Sequence, residues 1–245
     1  MTSATRLLPV LSALAGVLLI AGCASSTPGS TAPSSSPAPS SSASEDSDGS
    51  DIEGVVLDGG RMFAVVTRGS SSLACAPQIT QVSASGQVVE VTVEDKTDPA
   101  VMCTADYAPR ASVGALPEGV DPTQEITLDV TYGDVVADVD LDGDAAFTSA
   151  PGTSTDYLPS AGWIDDGALV LLTWGSSTCP PVVESVEGQG ATGTVAFVTD
   201  DAQPCTMDMA PRATVIAFGD DQVDDDDFAL TLAGAGLDGT VTVRG

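Results

Sequence analysis

The sequence predicts an all-β protein: two tandem small antiparallel β-sandwich or barrel-like domains from an internal duplication, placed after a disordered tether. Three observations carry this. Apolar residues alternate with polar ones at period two, as in Gln87-Val88-Val89-Glu90-Val91-Thr92-Val93. Gly- and Asp-rich turns separate short runs of this kind, and no amphipathic helical stretch of ten residues or more is convincing. Two long segments then occur twice.

Thr67-Arg68-Gly69-Ser70-Ser71-Ser72-Leu73-Ala74-Cys75-Ala76-Pro77 returns as Thr173-Trp174-Gly175-Ser176-Ser177-Thr178-Cys179-Pro180-Pro181. Cys103-Thr104-Ala105-Asp106-Tyr107-Ala108-Pro109-Arg110-Ala111 returns as Cys205-Thr206-Met207-Asp208-Met209-Ala210-Pro211-Arg212-Ala213. The offset is 104 at the first cysteine of each copy and 102 from the second onward. A solenoid needs shorter and more numerous repeats, so this is a tandem pair.

In chain order, residues 1–22 read as a signal peptide. Arg6 supplies a short basic region, Leu7 to Ile20 an apolar run, and Ile20-Ala21-Gly22-Cys23 the exit. The run is short for a spanning helix. Residues 23–50 are a Ser/Pro/Ala tract with almost nothing to bury, expected to be a disordered tether. Its 27 residues after Cys23 reach roughly 90 Å at most, with a coil span nearer about 30 Å. Residues 51–148 form the first β domain, 149–158 a linker and 159–245 the second domain. Candidate strands in the first copy run over Met62–Thr67, Ile79–Val82, Gln87–Val93, Ala111–Leu116, Ile126–Thr131 and Val135–Leu141.

Composition narrows the chemistry. The chain has 7 Lys+Arg against 35 Asp+Glu and a formal charge of −28. Such a surface repels nucleic acid and anionic headgroups. Histidine is absent, which removes His-based acid–base catalysis, Ser-His-Asp and Cys-His nucleophiles, and His metal ligation. Aromatics make up 4% of the chain, so the cores must be largely aliphatic.

Cys75, Cys103, Cys179 and Cys205 allow three pairings. A repeat that folds on its own closes its own bond, giving Cys75–Cys103 and Cys179–Cys205. No C-x-x-C spacing suggests redox or metal chemistry. The fifth cysteine, Cys23, ends a run that resembles a bacterial lipobox. With the Ser/Pro/Ala tether and the Ala/Val/Asp-rich bias, the chain resembles an actinobacterial-type cell-surface lipoprotein. That resemblance implies acylation of Cys23, a lipid anchor in the cell membrane, and a body on the extracytoplasmic face.

Several polar groups invite a functional reading. Asp106 and Arg110, like Asp208 and Arg212, are placed to pair beside the disulfides. The Gly-Ser-Ser segments lack a histidine to activate their hydroxyls. Asp138-Val139-Asp140-Leu141-Asp142-Gly143 opens like a calcium loop, but Ser149 stands where a bidentate Glu is required. The duplication makes it instead a last strand with Val139 and Leu141 inward. Asp220 to Asp227 is a denser acidic loop, expected to be solvated. Trp174 replaces Arg68 and Met209 replaces Tyr107 between copies, with Trp174 expected in a core against its disulfide. No catalytic, cofactor or metal residue emerges. The expected role is a non-enzymatic binding or envelope-structural module with an extracellular protein or glycan partner and no nucleic acid. The rivals are a solute- or cation-binding lipoprotein and a hydrolase built on carboxylates alone.

Overall fold

A computed structural model describes residues 52–96, 100–200, 202–219 and 222–245. The expected signal peptide, tether and Cys23 lie outside the described residues, as do Asp220 and Asp221 of the acidic loop.

The first copy contributes β1 (Glu53–Leu57), β2 (Met62–Gly69), β3 (Pro77–Ser85), β4 (Val88–Asp95), β5 (Ala108–Ala115), β6 (Ile126–Tyr132) and β7 (Val135–Leu141). The second repeats them as β8 (Ser160–Asp165), β9 (Ala168–Gly175), β10 (Val183–Gln189), β11 (Thr192–Phe197), β12 (Ala210–Ala217), β13 (Ala229–Ala233) and β14 (Gly239–Arg244). All six candidate strands are present, with β7 matching its expected limits. β1 was not among them.

In the second copy one sheet runs in the order β10-β11-β13-β14-β8-β9-β12. The first copy keeps the same order, divided into β3-β4-β6-β7 and β1-β2-β5. There β1 lies beside β7 without a ladder: a Cβ on Gly54 would fall 2.9 Å from Leu141 and 3.1 Å from Val139. Each copy is therefore a flattened, barrel-like sheet whose two walls enclose a core. The expected all-antiparallel arrangement needs one correction. β4 and β6, β11 and β13, and β14 and β8 run parallel.

Alternation explains the first core. Val89, Val91 and Val93 of β4 face inward and meet Phe63, Val65, Ile126, Leu128 and Val130. The second core holds Leu169, Leu171, Val195, Phe197 and Leu230. It also carries an aromatic trio, which the scarcity of aromatics did not suggest. Trp163 and Phe218 lie edge-on to Phe228, with ring centroids 5.1 and 5.3 Å from it.

β2 and β9 do not alternate, because both of their faces are covered. Phe63 and Val65 enter the first core, while Ala64 and Val66 point outward into a third cluster. There they meet Val170 and Leu172 of β9, together with Val55 and Leu57. The two copies thus share an apolar interface. They meet head to tail: the Asp58 amide donates to Ser160 Oγ at 2.9 Å, while Gly162 stands against Val55 and Val56. The start of β2 accordingly lies by the end of β9, where Met62 and Trp174 join the shared cluster. The loops that follow β2 and β9 leave from opposite ends.

The copies differ also at the other seam, between β3 and β5 in the first and between β10 and β12 in the second. In the first, β3 packs beside β5, and Ser112 Oγ donates to the Pro77 carbonyl at 2.8 Å. Gly114 permits the approach: a Cβ there would sit 2.8 Å from the Phe63 ring and 3.2 Å from Ile79. The second copy exchanges the cross-strand pair Phe63–Gly114 for Leu169–Ile216. Ile216 is buried in the second core, and β10 stays farther from β12.

Candidate functional site

Both disulfides form within their own copies, Cys75–Cys103 and Cys179–Cys205, with Cα separations of 5.8 and 5.7 Å. Each ties the loop after β2 or β9 to the segment entering β5 or β12. The repeated polar residues surround these bonds.

In the first copy Asp106 Oδ1 accepts from the Ser71 amide at 3.0 Å and from the Thr104 hydroxyl. Thr104 Oγ1 lies 2.7 Å from Ser70 Oγ and 3.2 Å from Ser71 Oγ. The second copy rebuilds the network. Asp208 Oδ1 accepts from the Ser177 amide at 3.1 Å and from the Thr206 hydroxyl, which lies 2.8 Å from Ser176 Oγ. Hydrogen bonds to the ionised form favour it. Those from Ser71 first hold Asp106 well below the usual carboxylate range. Those from Thr206 and Ser177 hold Asp208 at about 2.

The expected Asp–Arg ion pairs do not form. Arg110 reaches the Ser71 carbonyl at 3.5 Å. Arg212 donates to the carbonyls of Cys179 and Trp174 at 3.0 and 2.8 Å. Burial lowers the pKa of both guanidiniums, and their aspartates act on them only through space. An arginine has five donors and suits the capping of several carbonyls at once. The motif therefore stitches a loop; its hydroxyls and carboxylates face one another.

The remaining candidates resolve as follows. Asp138 and Asp140 point out of β7 while Leu141 is buried, and Thr127 Oγ1 donates to Asp140 at 2.9 Å. This is the last-strand geometry. Among the described residues no group of three or more Cys, Asp or Glu is arranged to hold a metal ion. Of the acidic loop, the Asp225 carbonyl accepts from Trp163 Nε1 at 3.3 Å. Asp225 is raised in pKa, by burial first and then by Asp166, Asp226 and Asp224. Trp174 lies half-buried in the interface between the copies, not on its disulfide. The Tyr157 ring meets it edge-on at 5.2 Å, and its indole N–H has no partner.

A cleft of about 640 Å³ opens beside the interface. Asp140, Asp142, Asp144, Asp165, Asp166 and Asp225 line it, with Arg244 held by Asp144 at 2.9 Å and lying over the Phe147 ring. The one buried carboxylate among the described residues is elsewhere. Asp58 is 4% exposed, in a 3₁₀ turn (Asp58–Gly60) between β1 and β2, and takes a bidentate pair from Arg61 at 2.9 and 3.0 Å. Asp156 from the linker adds a third contact at 3.1 Å. No local spacing marks this trio, since Asp156 lies 95 residues beyond Arg61.

Large apolar side chains crown both disulfide loops. Leu73, Met102 and Tyr107 are exposed in the first copy, and Val182, Met207 and Met209 in the second. Among the described residues no helix is long and apolar enough to cross a membrane. Comparison with known protein families, curated proteins and solved structures finds no match.

Proposed function

We propose that this chain is a lipid-anchored, extracytoplasmic, non-enzymatic module that engages a protein or glycan partner of the cell envelope. The observation that carries the reading is how the repeated polar residues are used. Ser70, Ser71, Thr104 and Asp106, and their counterparts, are satisfied by one another around the disulfides. A catalytic pair of acids needs two convergent carboxyls with separated pKa values. The buried Asp58 faces an arginine instead. With no histidine in the chain, activation of the exposed hydroxyls lacks a base. Exposed methionine and tyrosine on cross-linked loops suit contact with a partner.

Two measurements test this. Mass spectrometry and detergent-phase partitioning of the mature protein should find acyl chains on Cys23, lost in Cys23→Ala. Photo-crosslinking of the anchored protein on intact cells should then recover a defined partner through the disulfide loops. Recovery of none, with the anchor intact, would leave an envelope-structural role in place of binding.

A further inference from the structure

The two disulfides are not equally shielded. In the first copy Cys75 is 3% exposed, at the end of a 3₁₀ turn (Leu73–Cys75) in which its amide donates to the Ser72 carbonyl at 2.9 Å. The Pro77 ring and the Tyr132 hydroxyl close the space over Gly69, 3.4 and 3.6 Å from where its Cβ would stand. Tyr132 is fixed there by the first core and by its 2.6 Å bond to Asp95. The second copy lacks both covers. Its loop runs Ser176-Ser177-Thr178-Cys179, without counterparts of Leu73 and Ala74. Tyr132 is opposite Val93 of β4, and the matching place after Ala233 of β13 holds Gly234, which has no side chain.

A cleft of about 560 Å³ opens there instead. Cys179 and Cys205 both line it, with Pro181, Val198 and Leu237 as apolar walls. Cys205 is exposed and Cys179 half-buried. Arg212 and Asp200 line it too, one charge of each sign, and Asp208 of the same loop is taken up by the Ser177 amide and Thr206. Charge in the cleft therefore neither gathers nor expels a thiolate strongly, and access decides.

We propose that Cys179–Cys205 is a site of thiol–disulfide exchange with an external dithiol, entered through this cleft, while Cys75–Cys103 is a permanent cross-link. This goes beyond the binding role and stands without it. A thiolate of the dithiol attacks Cys205 Sγ, the S–S bond breaks, and its electron pair leaves on Cys179 Sγ. The second thiol of the dithiol loses its proton, attacks the mixed disulfide and releases Cys205. The two protons given up by the dithiol end on Cys179 and Cys205, so the dithiol is oxidised and the protein disulfide reduced. Exchange is faster when the leaving thiol has the lower pKa, and water reaching the half-buried Cys179 solvates its thiolate. At the first bond, burial bars attack on Cys75. Attack on the exposed Cys103 would instead expel a Cys75 thiolate into apolar surroundings, which raise its pKa. Reduction at the second bond frees the Ser176–Cys179 loop from the segment carrying the exposed Met207 and Met209.

The test exposes the full-length protein to dithiothreitol without denaturant, traps aliquots with iodoacetamide, and reads each cysteine by peptide mass spectrometry. Cys179 and Cys205 should become alkylated about tenfold or more faster than Cys75 and Cys103, at a rate proportional to dithiothreitol and unchanged by urea below the unfolding transition. In unfolding urea the two bonds should be reduced at similar rates, because the difference resides in the fold. Val198→Trp, which fills the mouth of the cleft, should slow reduction of the second bond severalfold and leave the first as it was. Equal native rates, or a faster first bond, overturn the proposal. So does a second-bond rate that climbs with sub-denaturing urea, since the bond is then reached only by local opening. A difference that survives unfolding, or Val198→Trp without slowing, overturns the cleft as the route and the proposal with it.

Discussion

Replacing Arg61 by methionine tests whether the turn between β1 and β2 holds the copies together as its contacts suggest. Arg61 is 12% exposed and makes two contacts to Asp58 at 2.9 and 3.0 Å and one to Asp156 at 3.1 Å. Its pKa is raised, the hydrogen bonds it donates to Asp58 leading. The same turn leans on the second copy through the Asp58 amide and Ser160, and its Gly59 carbonyl accepts from the Ser149 amide at 3.1 Å. Methionine keeps the length and apolar stem but leaves a carboxylate at 4% exposure without its cation. Breaking a buried pair from one side costs about 3–5 kcal/mol. For a body of this size each kcal/mol moves the melting midpoint by about 2–4 °C, so a fall of about 6–20 °C is expected. Asp58→Asn added to Arg61→Met should recover at least half of it. Asparagine tolerates the left-handed backbone at this position (φ 51°) and removes the stranded charge. Urea unfolding of the four species gives the coupling directly. A single-mutant loss under about 1 kcal/mol, or a double mutant no better than Arg61→Met, would refute the idea that the pair is desolvated.

Three further outcomes are expected. Replacing both cysteines of either disulfide by alanine should cost about 3.5 kcal/mol from loop closure, measured by urea unfolding. Asp208 has a folded pKa of about 2, below the unfolded value of about 3.9. Its stabilisation is therefore complete above pH ~4 and is lost as pH falls through about 2; the melting difference between wild type and Asp208→Asn should vanish across that window. Gly114→Ile should overpack the first core by about 1–3 kcal/mol or more, and adding Phe63→Leu, which copies the Leu169–Ile216 pair, should restore most of that in thermal melts.

Much of the fold was readable because one face of most strands is solvated. Val89, Val91 and Val93 announce β4 through the polar residues between them. β1 escaped for the opposite reason. Val55-Val56-Leu57 is buried throughout, so it shows no alternation, and three apolar residues do not distinguish a strand. The shared interface left a trace in the unbroken run Phe63 to Val66, since strands covered on both faces read as continuous apolar segments. Strand order and the parallel pairs are long-range choices that no local period encodes. At the disulfide loops the duplication revealed which residues act together, but not how they pair. Asp106 is four residues from Arg110, yet the backbone carries Ser71 and Thr104 to it first. Nothing in the sequence placed Arg61, Asp58 and Asp156 together.

The head-to-tail packing has a consequence for valency. Duplicated modules often gain avidity by gripping two sites on one ligand, but only when both can be engaged at once. Here the twin disulfide loops face away from each other across the length of the strands. An eight-residue strand such as β2 spans about 26 Å. No short ligand reaches both, so the second loop adds nothing to the affinity of the first. Duplication has instead placed two separately addressable loops at opposite ends of the paired strands.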